Sequence, residues 1–123
     1  MPTRPNPSDE VEAFLPLPTA VFHILVALAD RERHGYSIMQ DVSARTDGKV
    51  RLSAGTLYSA VRRMLEQGLI EELRDRPDPS SSDERRRYYR LTRLGRRVAI
   101  AEARRVNDML TQARATGLIP RKL

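Results

Sequence analysis

Residues 53–70 read SAGTLYSAVRRMLEQGLI and change from a helical to an extended pattern at one glycine. Successive residues of a helix lie about 100° apart, and this spacing gathers the apolar side chains on one side: Leu57, Val61, Met64 and Leu65. Ser53 is a suitable N-cap for such a helix, and Gly68 stands where helices commonly end. The next residues, LIEELRD, have the composition of a strand. The segment is therefore predicted to be a helix that ends at Gly68 and continues into a strand.

Two further helices are predicted before this segment. The apolar run AVFHILVALA predicts a first helix over about 20–30 with Thr19 as its cap. A helix that is apolar on nearly every side lies at the centre of a fold or between subunits. A second helix has one face marked by Ile38, Met39 and Val42, and the Asp47-Gly48 turn signal closes it. Residues 49–52, KVRL, are expected to form a short extended piece.

A hairpin and a long helix are predicted after residue 68. LIEELRD and RRYYRLT can form two strands, joined by a polar tip over 76–85 that is rich in proline and serine. Thr92 can cap a last helix that runs to about Thr116, where Gly117 stops it. An apolar stripe on this helix is expected to meet a second copy of the chain: Val98, Ala99, Ala103, Val106, Met109, Leu110 and Ala113. Glu102 lies inside the stripe and argues against a wholly dry contact.

Composition limits the classes of protein to which the chain can belong. Its 123 residues suit one domain, and its 22 basic against 16 acidic residues give a net charge of +6. A basic balance favours a polyanionic partner, although arginine enrichment also follows from genomic base composition. Cysteine is absent, no apolar run is long enough to cross a membrane, and the first residues lack the apolar core of a signal peptide. A cytoplasmic protein with no membrane partner is expected.

The chain lacks the residue patterns that are typical of catalytic, metal and cofactor sites. Its two histidines, His23 and His34, have no partner at the spacing of metal ligands. The six glycines form neither a dinucleotide-binding nor a phosphate-binding fingerprint. No enzyme activity, metal or cofactor is expected.

Nucleic-acid binding agrees better with the order of the elements. The helix over 53–66 turns small and then basic residues away from its apolar side: Ser53, Thr56, Ser59, Arg62 and Arg63. Small residues let a helix approach base edges, and arginines reach guanine or phosphate. The returning strand of the hairpin opens with Arg85, Arg86 and Arg87, followed by Tyr88 and Tyr89. Taken singly, an arginine pair is more often a solvated helix face, and a tyrosine pair more often packs in a strand.

Three motifs in order resemble the PadR family of bacterial transcriptional regulators. They are HGYSIMQ at 34–40, SAGTLYSAVRRMLEQGLI at 53–70 and RRRYYRLTRLG at 85–95. The middle motif is similar to the family's recognition helix and its exit into the wing, and the last to its returning strand and dimer helix. The resemblance covers roughly residues 19–116.

The resemblance implies a mostly α-helical protein with a small β-hairpin, a winged helix-turn-helix that dimerises through its C-terminal helix. The chain is thus expected to comprise a DNA-binding domain at 19–92, a dimerisation helix at 93–116 and a tail at 117–123. Residues 1–18 hold five of the eight prolines and are expected to form a flexible N-terminal arm. The residues that it implies face DNA are Tyr36, Ser53, Thr56, Tyr58, Ser59 and Arg63. Its expected partners are a double-stranded DNA operator, a second copy of the chain and a small-molecule effector that releases DNA.

A different class of function stays open at this point. A winged-helix scaffold can also bind a protein partner instead of DNA, because a fold does not determine a function. Such interaction modules tend to lose outward basic residues, whereas Arg62, Arg63 and 85–87 are present here. The operator, the effector, the regulated genes and the choice between repression and activation are not readable from the chain.

Overall fold

The computed structural model describes residues 7–73 and 87–120, which form five helices and three strands. The elements follow one another as α1 (Pro7–Glu12), α2 (Thr19–Leu28), β1 (Arg33–His34), α3 (Gly35–Arg45), α4 (Ala54–Glu66), β2 (Ile70–Leu73), β3 (Tyr88–Leu91) and α5 (Arg93–Ala115). The strands make one antiparallel sheet in the order β1-β3-β2. The fold is therefore mostly helical with a small sheet, as predicted.

The central helix of the core is α2. Ile24, Leu25 and Ala27 have no exposed surface, and α2 packs against α3, α4, α5 and β3. Of the two places expected for this apolar helix, the centre of a fold or a contact between subunits, the structure shows the first. The prediction that Thr19 caps it is wrong, because Pro18 occupies the N-cap position and no side chain bonds the first N–H groups.

The segment over 53–70 has the predicted local structure. Ser53 caps α4, its hydroxyl oxygen accepting the Thr56 N–H, and the predicted apolar side is buried at Leu57, Val61 and Met64. Gly68 has a φ of 75°, a left-handed conformation that favours glycine, and β2 begins at Ile70. Local capping and periodicity were therefore sufficient to predict this part of the fold.

The sheet contains a strand that the pattern analysis placed elsewhere. Residues 50–53 have no regular secondary structure, so the short strand expected at 49–52 is wrong. Instead, β1 pairs with β3 through Arg33 opposite Tyr89 and His34 opposite Tyr88. β1 thus adds a third strand to the hairpin on the β3 side, and α3 begins directly after it. The expected tip over 76–85 lies outside the described residues.

The start of α5 is held against the turn between α4 and β2. Thr92 caps α5 as predicted, its hydroxyl oxygen accepting the Gly95 N–H at 3.0 Å and donating to the Gly68 carbonyl at 2.6 Å. A Cβ at Gly95 would collide with the Leu69 carbonyl, so this close approach requires glycine. The long helix therefore leaves the domain in a defined direction.

Within the N-terminal stretch expected to be an arm, residues 7–12 form α1, which packs against α5. Val11 and Leu17 are buried members of the core. No helix was expected here. The mobility assigned to 1–18 stays a prediction.

Candidate nucleic-acid interface

The first turn of α4 is held by its own hydroxyl groups. Ser53 Oγ accepts the Thr56 N–H at 3.1 Å and donates to Thr56 Oγ1 at 3.0 Å, and both side chains are exposed. A cap of this kind contributes about 1 kcal/mol to a helix. The two residues therefore stabilise the end of α4 and also stand at its surface.

The middle of α4 presents cations that have no partner in the described chain. Ser59, Arg62 and Arg63 are all exposed, and neither arginine makes an ion pair or hydrogen bond with another described residue. An unpaired guanidinium keeps its five donors free for carboxylate, phosphate or a base edge. Glu66, also exposed, is the acidic residue at the end of this face.

Two tyrosines border α4 on the side of α3. Tyr36 is 59% exposed and Tyr58 is 43% exposed. An ideal Cβ on Gly35 would lie 2.5 Å from the Tyr58 hydroxyl oxygen, so the ring can rest here only because residue 35 is glycine. Tyr58 is thus held against the first turn of α3, with much of its ring still open to solvent.

Arg63 lies on the opposite border of α4, beside the N-terminal stretch. With Gln67 it forms one wall of a groove of about 290 Å³ whose other wall includes Phe14, Leu17 and Val21. Thr56 and Ser59 share a second groove with the start of α2. The residues of α3 and α4 that were predicted to face DNA are therefore all exposed, with the tyrosines at one border of α4 and Arg63 at the other.

Further polar residues that the sequence analysis did not select extend this surface. Gln40, Ser43 and Arg51 line a groove together with Tyr36, on the outer side of α3. Lys49 and Arg51 are exposed and make no ion pair within the described residues. The basic residues of KVRL, between two predicted helices, are the sequence feature that could have identified this part of the surface.

A polar cluster holds α3 in place beneath the interface. Arg33 donates to the Ala27 carbonyl at 2.7 Å and pairs with Asp41 at 3.1 Å, and both charged side chains are largely buried. Asp41 also pairs with Arg45 at 2.7 Å. These bonds join the end of α2, β1 and α3, so the start of α3 has a defined position relative to the core.

The wing is the hairpin of β2 and β3. Its described part differs from α4 because its arginines are paired with glutamates. Arg87 is 52% exposed and lies 3.4 Å from Glu72, and Arg90 lies 2.6 Å from Glu71. Exposed pairs of this kind contribute little to stability. Arg85 and Arg86, also expected to contact DNA, lie outside the described residues.

The predicted stripe on α5 is divided into a covered and an uncovered part. Val98 is fully buried, and Ala99 packs on the core of its own chain. Val98 is thus a core residue and has no surface left for a second copy. The remaining stripe residues are partly or fully exposed, with Met109 at 49% and Leu110 at 37%: Ala103, Val106, Met109, Leu110 and Ala113.

Glu102 lies at the border between these two parts and is 2% exposed. Its carboxylate accepts hydrogen bonds from the Arg105 guanidinium and from the Leu17 backbone N–H, the latter at 3.0 Å. The bond from Arg105 is the largest influence on the carboxyl group and holds the pKa of Glu102 below its ordinary value, against the effect of burial. The acidic residue inside the stripe is therefore ionised and bonded within its own chain.

Two features of other protein classes are absent from the described residues. No group of three or more histidine, cysteine, aspartate or glutamate residues there is arranged to hold a metal ion. None of the described helices combines the length and apolar character required to cross a membrane.

Comparison with protein families gives a match over residues 24–101, more than half of the chain, to the family described as "Transcriptional regulator PadR-like family". A curated relative, an uncharacterized protein of Lysinibacillus sphaericus, is 33% identical over 73 residues. That alignment covers 59% of this chain and 64% of the relative, so the chain spans less than two thirds of the relative's length.

Solved structures with a similar fold include two bacterial proteins. A transcriptional regulator from Clostridium thermocellum aligns with a TM-score of 0.65 at 22% identity, covering 91% of this chain and 97% of the other. A PadR family transcription regulator from hypervirulent Clostridium difficile R20291 aligns with a TM-score of 0.66 at 24% identity, covering 80% and 98% respectively. At these identities the likeness shows the fold, a winged helix, and no finer property.

Proposed function

Since the chain belongs to the PadR-like family of transcriptional regulators, we propose that it is a cytoplasmic, sequence-specific DNA-binding protein that acts as a ligand-responsive repressor. The observation that carries the proposal is the exposed face of α4, where Arg62 and Arg63 have no partner among the described residues. Unpaired cations beside small hydroxyl side chains suit a helix that enters the major groove, since arginine reads guanine and hydroxyls bond to either bases or phosphates.

The surroundings of α4 support contacts to the two phosphate backbones that border a groove. Tyr36, Arg51 and Lys49 are exposed on the side of α3, and Arg63 is exposed on the opposite side. Phosphate contacts determine the register of a protein on DNA, whereas base contacts determine its sequence preference. We assign Ser59 and Arg62, in the middle of the face, to base contacts, and the bordering residues mainly to the backbones.

A homodimer is part of the proposal because α5 leaves an apolar face uncovered. Met109 and Leu110 are exposed large apolar residues, and small Ala103 and Ala113 beside them allow close approach of a second helix. A two-fold pair would place its recognition helices in half-sites about 34–36 Å apart, one DNA turn.

The effector is the third part of the proposal. The groove beside Arg63 has an apolar wall formed by Phe14, Leu17 and Val21. A small molecule bound there would lie next to a proposed DNA-facing side chain and would therefore change DNA binding directly.

The test is selection of operators from random DNA duplexes, followed by gel-shift titration with the selected operator and with the chain's own upstream region. The variant Arg62→Ala/Arg63→Ala is expected to lose the preference for the selected operator. The matched control, Arg104→Ala/Arg114→Ala, removes two exposed arginines of α5 and should retain it. A folded dimer that selects no sequence would refute the proposal and favour an interaction module that binds a protein.

A further inference from the structure

The segments that flank α2 are both bonded to the same helix, α5. Before α2, the N–H of Leu17, the residue preceding the N-cap Pro18, donates to Glu102 Oε2 at 3.0 Å. At the end of α2, Arg96 Nη2 donates to the Ala29 carbonyl at 3.1 Å. Glu102 and Arg96 thus hold two points, one in each flanking segment, and two fixed points determine the angle at which a pair of helices cross.

The bond before α2 is the more specific of the two. Glu102 is 2% exposed, and a buried carboxylate is tolerated only where hydrogen bonds and a counter-ion replace its water. Arg105 supplies the counter-ion, through Nη2 at 3.2 Å from Oε2 and through Nε to the other oxygen. The carboxylate that accepts these bonds cannot shift without losing partners, whereas the bond from Arg96 is exposed.

The angle between α2 and α5 matters because α2 supports the recognition helix. α2 packs against α3 and α4, while the uncovered face of α5 begins at Ala103, directly after Glu102. Arg105 also reaches this face, with Nη1 3.7 Å from the Met109 sulfur. In a dimer joined through α5, any rotation of α2 on α5 would move the two recognition helices relative to each other.

We propose that Glu102 is a positioning residue that sets the separation and relative orientation of the two recognition helices in the dimer. The inference rests on the proposed function, since it requires a dimer joined through α5 and two DNA half-sites. Glu102 itself touches no DNA. It acts by fixing the segment before α2 on α5, in addition to the weaker bond from Arg96 and to the Thr92 and Gly95 contacts that hold the start of α5 against the turn after α4.

The first measurement uses the dimer without DNA. The chain has no cysteine, so Glu66→Cys, at an exposed position of α4, gives one nitroxide label per chain. Double electron–electron resonance should give a narrow distance distribution in the parent protein. It should be clearly broader in Glu102→Gln and slightly broader in Arg96→Gln. Asp108→Asn removes an exposed carboxylate of the same helix that has no partner among the described residues, and it should leave the width unchanged.

The second measurement uses the selected operator and versions with one base pair inserted or deleted between the half-sites, a rotation of about a tenth of a turn. The parent protein should prefer the selected spacing by about tenfold, equivalent to about 1.4 kcal/mol. In Glu102→Gln this preference should fall to about twofold, with the dimer constant measured by sedimentation remaining unchanged. A general loss of stability would weaken all spacings alike.

The outcomes separate this inference from the proposed function. Parent-like distance widths and spacing preference in a folded Glu102→Gln dimer would overturn the positioning role and leave the DNA-binding proposal intact. A parent protein that is monomeric, or that selects no DNA, would overturn both. If Glu102→Gln does not fold, Arg105→Met removes the counter-ion while leaving the carboxylate, and parent-like widths and preference in that variant would overturn the role.

Discussion

Helices α4 and α5 are both amphipathic, yet the faces that they leave uncovered have opposite chemistry. The uncovered face of α4 carries Ser59, Arg62 and Arg63, with no ion pair among the described residues. The uncovered face of α5 carries Met109 and Leu110, which are 49% and 37% exposed. A polar cationic face needs no burial and suits a polyanion, whereas a contiguous apolar face gains free energy only when another apolar surface covers it. The contrast between the two faces supports the proposal that α4 binds DNA and that α5 binds a second copy of the chain.

The wing gives a second contrast with α4. Its described cations, Arg87 and Arg90, are paired with Glu72 and Glu71, so binding a phosphate would first require these pairs to separate. The unpaired arginines of α4 have no such competing interaction. We therefore expect α4 to contribute more binding free energy per cation than the described part of the wing.

The largest effect is expected from charges on the uncovered face of α5. Val106→Glu/Met109→Glu would bury like charges near the axis of the dimer or leave them against apolar surface, at a cost of several kcal/mol. The variant should be monomeric or misfolded at micromolar concentration, and its operator affinity should fall by about a hundredfold or more. Sedimentation velocity and gel-shift titration measure the two effects.

The matched control places the same charges on the solvent side of α5. Asn107→Glu/Thr111→Glu changes two exposed residues outside the apolar stripe and should remain dimeric. A monomeric wild-type protein, or a fully dimeric Val106→Glu/Met109→Glu variant, would remove the distinction between the two helices.

A smaller effect, on folding stability, is expected from the covered side of α5. The pKa of Glu102 is lowered in the folded chain from its ordinary value of 4.5, mainly by the hydrogen bond from Arg105. Between the folded and the ordinary pKa the unfolded chain binds the extra proton, so this contribution is present above about pH 4.5 and is lost as the pH falls through the folded value. Glu102→Gln should cost about 1.5–3 kcal/mol of unfolding free energy at pH 7, and less at pH 3.

Urea titrations of both proteins from pH 7 to pH 3 measure this difference. Carboxylates elsewhere titrate equally in the two proteins and cancel in the comparison. If the difference in unfolding free energy between wild type and Glu102→Gln stays constant down to pH 3, Glu102 is not held ionised by Arg105.

A comparable effect on DNA affinity, without loss of stability, is expected from Arg63→Ala. The side chain is exposed and its removal leaves no buried group unpaired, so the melting temperature should stay close to that of wild type. If the contact is to the backbone, as assigned above, operator and non-specific binding should weaken alike and the salt slope should fall by about one unit. If it is to a base, operator binding should weaken by about 1–3 kcal/mol. Arg104→Ala, an exposed arginine of α5, is the control and should bind normally. Equal operator affinities in wild type, Arg63→Ala and Arg104→Ala would exclude a DNA contact by this arginine of α4.

The smallest effect is expected from the wing. Replacing Arg85, Arg86 and Arg87 with alanine should weaken specific and non-specific DNA binding alike, since phosphate contacts carry no sequence information. The slope of log affinity against log salt should shrink by roughly one unit for each lost contact. Arg87→Ala alone should change it by less, because Glu72 competes for this side chain. A triple variant with the full salt slope would show that the wing cations do not touch DNA.

Sequence patterns predicted α4 and the limits of α5 well because the responsible interactions are short. The caps at Ser53 and Thr92 involve residues three positions away, and the left-handed turn at Gly68 depends on one residue. The same patterns misplaced the third strand. Residues 49–52 have the composition of a strand but pair with no other described strand, whereas Arg33 and His34 pair with β3. Which segment forms the third strand therefore depended on its position beside β3 and not on its composition.

The sequence by itself determined the periodicity of α4 and α5, the caps of these two helices, the cationic face of α4 and the motifs that identify the family. Tertiary structure alone decided which part of the α5 stripe is core, because Val98 is buried by residues from other elements while Met109 projects beyond them. It also decided the role of Glu102, whose partner Leu17 lies 85 residues away. The physical reason is that capping and periodicity act over a few residues, whereas burial and long-range hydrogen bonds exist only after the helices have packed.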